Sequence, residues 1–350
     1  MIIAIDCRLI DYIQNTGISR YTEFLIEYYK SRVGEKNIIL ISNDPDLKIH
    51  NIKMVYTKLK PFSFLSFLQF GSFVKKLNIE VFHSPFYSSF FYKPAGIISL
   101  LTVHDLMFRL VPRFFGDSLV VNFLKKYYFN SIVCKSLKNS DYIISVSNTT
   151  KSDLKMVYGF DSTHIPEDSH IVCSSDRNIF NKHSLKEQQY FLYCGNRRPH
   201  KNISFLRDVF EKDASLPLLV LAGRGHESGT NVLATGIVSD EELQSLYKGA
   251  IAFVFPSQYE GFGLPILEAI RNGTKVVASA IPAFLEFESK NIYFFDLNDD
   301  DSLKASLKVA QNSLFYNDED FLSTYNKENI YKLNDILISS FNLISNNKHE

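Results

Sequence analysis

Short apolar runs alternate with amphipathic segments along most of the chain. Runs rich in Ile, Val, Leu and Phe occur at 2–6, 38–42, 81–84, 97–105 and 141–147, and apolar residues at helical spacing occur between them, as at 18–31 and 149–158. Unbroken β-rich runs separated by helices are typical of a parallel sheet that is covered on both faces. We therefore predict a doubly wound α/β domain over residues 1–165.

The same alternation starts again after a polar stretch at about 159–189, which contains one further predicted strand at 170–174. Strands are predicted at 190–195, 216–223, 251–256, 275–279 and 291–296, with helices at 202–211, 240–250 and 264–273. The sequence thus predicts α/β architecture with two tandem Rossmann-like domains that face each other across a cleft, the second over 175–330. A last helix is predicted at about 316–345. The sequence leaves open whether its end, about 330–350, packs back on the first domain.

Loops at the carboxyl ends of parallel strands decide which ligand such domains bind. The first loop contains a single glycine, Gly17, and no G-x-G-x-x-G pattern, so a nicotinamide dinucleotide site is disfavoured. A Walker phosphate loop and an H-E-x-x-H metal motif are also absent from the sequence, and we expect no metal site. Gly17 precedes a predicted helix, so the backbone amides there are placed to meet an anion.

The segment 255–270 is the most informative loop in the second half. A strand ends at Pro256, Glu260 precedes a glycine-rich turn, and a helix begins near Leu264. Amide groups at a helix start with glycines beside them suit a phosphate or a sugar hydroxyl. Glu260 and Glu268 add two carboxylates, which accept hydrogen bonds from vicinal hydroxyl groups.

Two other strand-end turns carry candidate side chains. Arg197, Arg198 and Lys201 cluster at 195–202, where fixed cations before a helix would hold a diphosphate and stabilise it as a leaving group. The turn at Gly223 is open to close approach by a base or a ribose. In the first domain His104 follows an apolar strand, where it either contacts a substrate or serves as a buried structural histidine.

These motifs together resemble the retaining GT-B glycosyltransferases of family 4 (group 1). The resemblance covers nearly the whole chain, most securely 190–290, and the segments at 17–21 and 102–106 are typical of the bacterial mannosyltransferases of O-antigen and polysaccharide synthesis. It rests on the segments GISRY (17–21), TVHDL (102–106), SVSNTTKSDL (145–154), GNRRPHKN (195–202), VSDEELQSLYKGA (238–250) and EGFGLPILE (260–268).

The resemblance implies an activity and its partners. The enzyme would move a hexose from a nucleoside diphosphate sugar, with GDP-mannose favoured, to a lipid-linked or saccharide acceptor in the synthesis of lipopolysaccharide O-antigen or capsule. The second domain would hold the donor and the first the acceptor. The fixed cations would replace a metal ion, and no cofactor other than the substrate nucleotide sugar is expected.

The resemblance also implies residue roles. Catalytic roles fall to His104, Arg197, Lys201 and Glu260, and donor-binding roles to Gly17, Arg198, Gly223, Gly261, Phe262, Gly263, Leu264 and Glu268. Arg197 and Arg198 are adjacent, so either could bind the diphosphate, with Arg197 preferred. The chain departs from the family at 172–180, where an Asn-Gly turn is common. A nucleotide-sugar epimerase and a catalytically silent assembly partner remain alternatives.

Composition adds information mainly through the charge distribution. The 38 Lys/Arg and 38 Asp/Glu cancel, but residues 1–170 carry +5 and residues 53–138 carry +9. A neutral chain is not expected to bind nucleic acid. The four cysteines form no C-x-x-C pair, which is typical of reduced thiols in the cytoplasm. No signal peptide or spanning segment is predicted.

Two segments of the basic region suggest contact with a membrane surface. Phe64, Phe67, Phe70 and Phe73 recur every third residue and precede Lys75 and Lys76, so the segment 62–76 is either a buried helix or an interfacial element. Segment 109–126 adds aromatic and basic residues. We therefore expect peripheral binding to anionic lipid at the inner face of the cytoplasmic membrane.

Overall fold

The chain divides into two compact units in the computed structural model, which describes residues 1–10, 16–49, 51–168 and 174–346, with side chains to 340. The first unit comprises Met1–Asp168 with Lys327–Glu350, and the second comprises Ser169–Asn326. The strand predicted at 170–174 falls almost wholly outside the described residues. In the described part of the chain no helix is long and apolar enough to cross a bilayer.

The first unit is built on a seven-stranded sheet in which every neighbouring pair of strands is parallel. Its strands are β1 (Ile3–Asp6), β2 (Ile38–Ser42), β3 (Lys53–Tyr56), β4 (Val81–Ser84), β5 (Ile98–Val103), β6 (Tyr142–Ser145) and β7 (Thr163–His164), in the order β3-β2-β1-β4-β5-β6-β7. The order reverses direction at β1, as in doubly wound folds, so the predicted class is confirmed.

Helices cover this sheet. They are α1 (Gly17–Val33), α2 (Phe64–Lys75), α3 (Met107–Leu110), α4 (Leu119–Lys138), α5 (Asn148–Tyr158) and, from the end of the chain, α13 (Lys327–Asn346). α1 begins at Gly17 because the Thr16 hydroxyl accepts a hydrogen bond from the Ser19 amide, and it ends at Gly34, whose φ of 78° suits glycine.

The second unit holds a six-stranded parallel sheet, of order β10-β9-β8-β11-β12-β13. Its strands are β8 (Tyr190–Cys194), β9 (Leu218–Ala222), β10 (Val232–Gly236), β11 (Ala252–Phe255), β12 (Lys275–Ser279) and β13 (Ile292–Phe295). Its helices are α6 (Asn178–His183), α7 (Ile203–Lys212), α8 (Asp240–Gly249), α9 (Leu264–Arg271), α10 (Pro282–Leu285), α11 (Asp300–Asn312) and α12 (Glu319–Thr324).

The long helix predicted at 316–345 is two helices. Between α12 and α13 the ring of Tyr325 packs against Phe262 and Phe287 of the second unit. Beyond it Ile330 and Leu337 of α13 are buried in the core of the first unit. The helix breaks here because its two halves bury their apolar residues in different cores.

The phenylalanine segment is mainly core. Phe67 and Phe70 of α2 are buried, and Phe70 packs against Phe82 of the sheet. Phe64 and the neighbouring Leu65 and Leu68 remain exposed. Of the two alternatives for this segment, the buried helix therefore describes Phe67 and Phe70, because the spacing of three residues turns them across the helix toward the sheet, whereas Phe64 stays exposed.

A buried ion pair closes the end of β1. The guanidinium of Arg8 contacts both carboxylate oxygens of Asp6, at 2.7 and 2.6 Å, and both side chains are fully buried. Its Nη1 donates to the Leu59 carbonyl and the Ser66 hydroxyl, each at 2.8 Å, and its Cζ lies 3.6 Å from the centre of the Phe70 ring. Arg8 therefore ties the first strand to the start of α2.

We predict that Arg8→Met lowers the free energy of unfolding by about 3–5 kcal/mol, because it leaves the Asp6 charge buried without a partner. Lys155→Met is the control, since its pair with Asp161 at 2.7 Å is exposed and stabilises by less than about 1 kcal/mol. Urea denaturation followed by circular dichroism measures both. Equal losses in the two variants would contradict the importance of the buried pair.

Candidate active site

Three glycine turns meet at one edge of the second sheet. Strands β9, β8 and β11 are neighbours, and they end at Ala222, Cys194 and Phe255. Each is followed by a turn that carries predicted site residues, at Gly195, Gly223 and 260–263. Because carboxyl ends of parallel strands share an edge, the fold places these turns side by side.

The first two turns pack directly on each other. Gly223 has a φ of 129°, and a Cβ there would overlap the carbonyl oxygen of Gly195. The Gly195 amide donates to the Ala222 carbonyl at 3.0 Å, and a ring nitrogen of His226 lies 2.9 Å from the Gly195 carbonyl. Close backbone packing thus explains why residue 223 is a glycine. Its predicted role beside a base or ribose stays a prediction.

The basic side chains of the turn at 195–202 differ in their exposure. Arg197 and Arg198 are exposed, and Nη1 of Arg197 lies 3.8 Å from Glu227. His200 is buried in a short 3₁₀ turn, Pro199–Lys201, and burial followed by the charge of Lys201 lowers its pKa to about 4. His200 is therefore neutral near pH 7, and the positive charge of this turn comes from the arginines and Lys201.

Lys201 and Glu260 form an ion pair that joins the β8 and β11 turns. Lys201 Nζ lies 2.6 Å from Glu260 Oε1, with the two side chains only 18% and 12% exposed. The same ammonium lies 5.2 Å from the centre of the Phe255 ring, at the end of β11. Two residues 59 positions apart, predicted for one site, thus fix each other's side chains.

The start of α9 supplies backbone groups rather than side chains. Gly263, with a φ of 148°, precedes Leu264 and provides no side-chain cap. Phe262 is buried, with its ring 5.3 Å from Phe287 and 5.9 Å from Tyr325. A Cβ on Gly263 would lie 2.7 Å from Phe287. Packing therefore holds the turn at 261–264 rigidly, and the helix dipole makes its start favourable to negative charge.

Glu268 lies farther along α9. Its Oε2 accepts a hydrogen bond of 3.2 Å from the Tyr247 hydroxyl of α8. This contact orients the carboxylate, and no motif in the sequence predicts Tyr247 as its partner. The predicted contact of Glu268 with a ribose remains a prediction.

His104 lies in the first unit, with both ring nitrogens engaged. Nδ1 is 2.5 Å from Glu167 Oε1, and Nε2 is 2.8 Å from the Pro85 carbonyl. Burial lowers the pKa of His104, but the charge and hydrogen bond of Glu167, with the Pro85 contact, raise it above the ordinary 6.5 overall. When the ring is protonated, both nitrogens donate, so these partners stabilise the imidazolium.

A second histidine close by, His83, has its pKa shifted in the opposite direction. His83 is fully buried between the hydroxyls of Tyr29 and Thr102, each 2.9 Å from a ring nitrogen. Burial, and after it the charge of His104, lowers its pKa to about 3. The Tyr21 hydroxyl extends this hydrogen-bond network, at 3.0 Å from the Thr102 hydroxyl. The Tyr21 ring packs edge-on against His104, with ring centres 4.8 Å apart.

Gly17 is the first residue of α1, directly after Thr16. Residues 11–15 lie outside the described part of the chain, so the first loop is seen only from its end. The contact of Gly17 with a phosphate remains a prediction. Within the described residues, no group of three His, Cys, Asp or Glu side chains could hold a metal ion.

Solved structures show the class of fold. Sucrose-phosphate synthase from Thermosynechococcus elongatus matches with a TM-score of 0.75 over 98% of this chain and 99% of its own, at 16% identity. The lipopolysaccharide glycosyltransferase WaaG matches with a TM-score of 0.67 over 95% of each chain, at 14% identity. The protein has the GT-B fold, as the sequence predicted.

Sequence comparison adds the family. The model described as "Glycosyl transferases group 1" matches residues 175–312. "O-antigen chain mannosyltransferase RfbU" of Salmonella typhimurium is 33% identical over 221 residues, 59% of each chain. "O-antigen chain mannosyltransferase B" of Escherichia coli is 30% identical over 254 residues, 65% of this chain and 64% of its own. The chain thus spans about three fifths of these curated relatives.

We predict that the pKa of His104 is above 6.5 and that Glu167→Gln lowers it below that value, because burial then acts without the opposing carboxylate. Histidine chemical shifts followed by NMR measure both values. Asp161→Asn, which removes an exposed carboxylate of the same unit, is the control and should leave His104 unchanged.

The same substitution has a stability signature. A raised pKa stabilises the folded protein fully below the unfolded value of about 6.5, and this contribution disappears as the pH rises through the folded value. Glu167→Gln should therefore lose more stability at pH 5 than at pH 9. A loss that is the same at both pH values would contradict the charged pair.

Proposed function

We propose that the protein is a retaining hexosyltransferase of bacterial surface polysaccharide synthesis, acting on a nucleoside diphosphate sugar and a lipid-linked or saccharide acceptor. The observation that carries this proposal is the Lys201–Glu260 pair at the edge where the turns of β8 and β11 meet the start of α9. It combines a fixed cation, a carboxylate and a helix start, which suit a sugar joined to a diphosphate.

In the proposed mechanism the bond between C1 of the sugar and the diphosphate oxygen breaks as negative charge grows on the leaving group. Lys201 and one of the two arginines, with the amides at 261–264, stabilise that charge without reorganising. Glu260 gives one oxygen to Lys201 and offers the other to a sugar hydroxyl. The pair therefore positions both the leaving diphosphate and the transferred sugar.

The acceptor hydroxyl attacks on the face that the diphosphate leaves, so configuration is retained. Its proton passes to the departing phosphate. His104 is a poor base for this proton, because its raised pKa and its two hydrogen bonds favour the protonated ring.

Mannose is favoured through the names of the O-antigen mannosyltransferase relatives, and GDP only through the resemblance of the sequence motifs to such enzymes. A thermal-shift screen across GDP-, UDP- and dTDP-sugars tests the donor directly, since the bound donor raises the melting temperature. The epimerase and silent-partner alternatives receive no support from the relatives reported above. Conversion of the donor in the absence of any acceptor would favour the epimerase.

We predict that Lys201→Ala lowers transfer by roughly 10²–10³-fold, as removal of one preorganised charge-stabilising donor does. Transfer by the unmodified protein should be unchanged in EDTA, since fixed cations stabilise the leaving group. Release of nucleoside diphosphate in the presence of acceptor measures both. Lys248→Ala is the control, because Lys248 is exposed on α8.

Two results would reject this mechanism. Full activity of the Lys201 variant would remove the cation from the reaction. Loss of activity in EDTA, restored by a divalent metal, would assign the charge stabilisation to that metal.

The proposal includes peripheral binding to the inner face of the cytoplasmic membrane. Leu119, Val120, Phe123, Leu124 and Tyr127 in the first half of α4 are exposed. The Tyr128 hydroxyl of α4 donates to the Phe62 carbonyl at 2.8 Å. This contact places the start of α2, with its exposed residues Phe64, Leu65 and Leu68, beside α4. Exposed apolar patches of this kind mark interaction surfaces.

The charge around this patch suits anionic lipid. Arg109, Arg113 and Lys125 are exposed around the start of α4, and Lys126 is partly exposed. Phe114 and Phe115, which were expected to extend the surface, are half-buried and pack toward Phe129. The proposed membrane surface is therefore the first half of α4 with the start of α2.

We predict that the protein sediments with phosphatidylglycerol vesicles and less with neutral phosphatidylcholine vesicles, and that salt weakens the binding. Leu124→Glu should reduce binding several-fold because it places a negative charge in the patch. The control is Met156→Glu, which changes an equally exposed apolar residue of α5 (Met156 is 79% exposed and Leu124 60%). No sedimentation, or equal effects of the two variants, would contradict the proposed surface.

A further inference from the structure

We propose that a pocket beside α4 binds the diphosphate head of the lipid-linked acceptor. The pocket has a volume of about 360 Å³ and is lined by Arg109, Phe123, Lys126, Tyr127 and Asn130. Pockets that hold small ligands start at about 300 Å³. The assignment of the ligand as the acceptor rests on the proposed function, whereas the binding of a diphosphate amphiphile does not.

Two cations converge on this pocket without an anion. In the described part of the chain neither Arg109 nor Lys126 has a carboxylate within 4.0 Å. Burial, and after it the charge of Arg109, lowers the pKa of Lys126. Like charges that face one space are unfavourable until an anion enters between them. A diphosphate meets this need with several acceptor oxygens.

The pocket lining includes an oriented amide, that of Asn130. The Tyr158 hydroxyl lies 2.6 Å from Asn130 Oδ1 and donates to it. Burial raises the pKa of Tyr158, so the phenol keeps the proton that it donates. With its oxygen satisfied in this way, Asn130 brings its Nδ2 group to the lining as a donor. The pocket therefore combines two cations and an N–H donor.

The apolar walls select an amphiphile over a free anion. Phe123 and Tyr127 line the pocket with exposed rings, and Leu119, Val120 and Leu124 continue the apolar surface along α4. A hydrocarbon chain can lie along these side chains while its diphosphate remains at the cations. An inorganic anion would gain nothing from the apolar part.

Calorimetric titration with farnesyl diphosphate, without any nucleotide sugar, tests the site. Lys126→Gln and Arg109→Gln should each weaken binding by roughly tenfold or more, the value of one charge-assisted hydrogen bond. Lys125→Gln removes the same charge one position away, outside the pocket lining, and should change the affinity less than about twofold. Farnesol and inorganic pyrophosphate should each bind more weakly than farnesyl diphosphate. Melting temperatures and circular dichroism verify that the variants fold.

The outcomes separate the possible ligands. Equal losses for Lys125→Gln and Lys126→Gln, or farnesol binding as tightly as its diphosphate, would overturn the site. Lys125→Gln and Lys126→Gln should weaken binding to phosphatidylglycerol vesicles equally. A larger loss for Lys126→Gln there would assign the pocket to bilayer headgroups and overturn the acceptor assignment. Farnesyl diphosphate binding in a protein that transfers no sugar would reject the proposed function and leave the site standing.

Discussion

A parallel sheet brings the carboxyl ends of its strands to one edge, and the candidate site depends on this constraint. In the second unit it sets the β8, β9 and β11 turns side by side, although Lys201 and Glu260 are distant in sequence. In the first unit His104 follows β5, and Glu167 reaches it from beyond β7. The order of the strands therefore determines which side chains come together at the site.

The surroundings of two buried histidines shift their pKa values in opposite directions. His83 and His104 occupy one region of the first unit, yet burial lowers the pKa of His83 to about 3, whereas at His104 the Glu167 carboxylate outweighs burial and raises the pKa above its ordinary value. An ionised side chain that is taken out of water needs an opposite charge, whereas a neutral ring needs only hydrogen bonds. A carboxylate partner therefore separates the electrostatics of two residues of the same type in one region of the fold.

The sequence predicts what is local and misses what is distant. Continuous apolar runs predict the central strands to within a few residues, whereas the half-exposed edge strands β3 and β10 give no such signal. The whole of α4 was missed because its first half exposes apolar side chains and so lacks the periodicity of a surface helix. Glu167 lies in a polar stretch without a motif, and only the sheet places it against His104.

The distribution of charge gains meaning once the chain is folded. A net charge of zero says little about which ligands the protein binds. The basic excess of residues 53–138 includes lysines with quite different surroundings. Lys93 is neutralised by Asp141 at 2.5 Å, whereas Lys126 faces Arg109 across an apolar pocket. A cation that has a carboxylate partner contributes little to the recognition of an anion. The unneutralised cations beside exposed apolar side chains are thus the ones that favour an anionic amphiphile, and sequence counts alone cannot separate them from the rest.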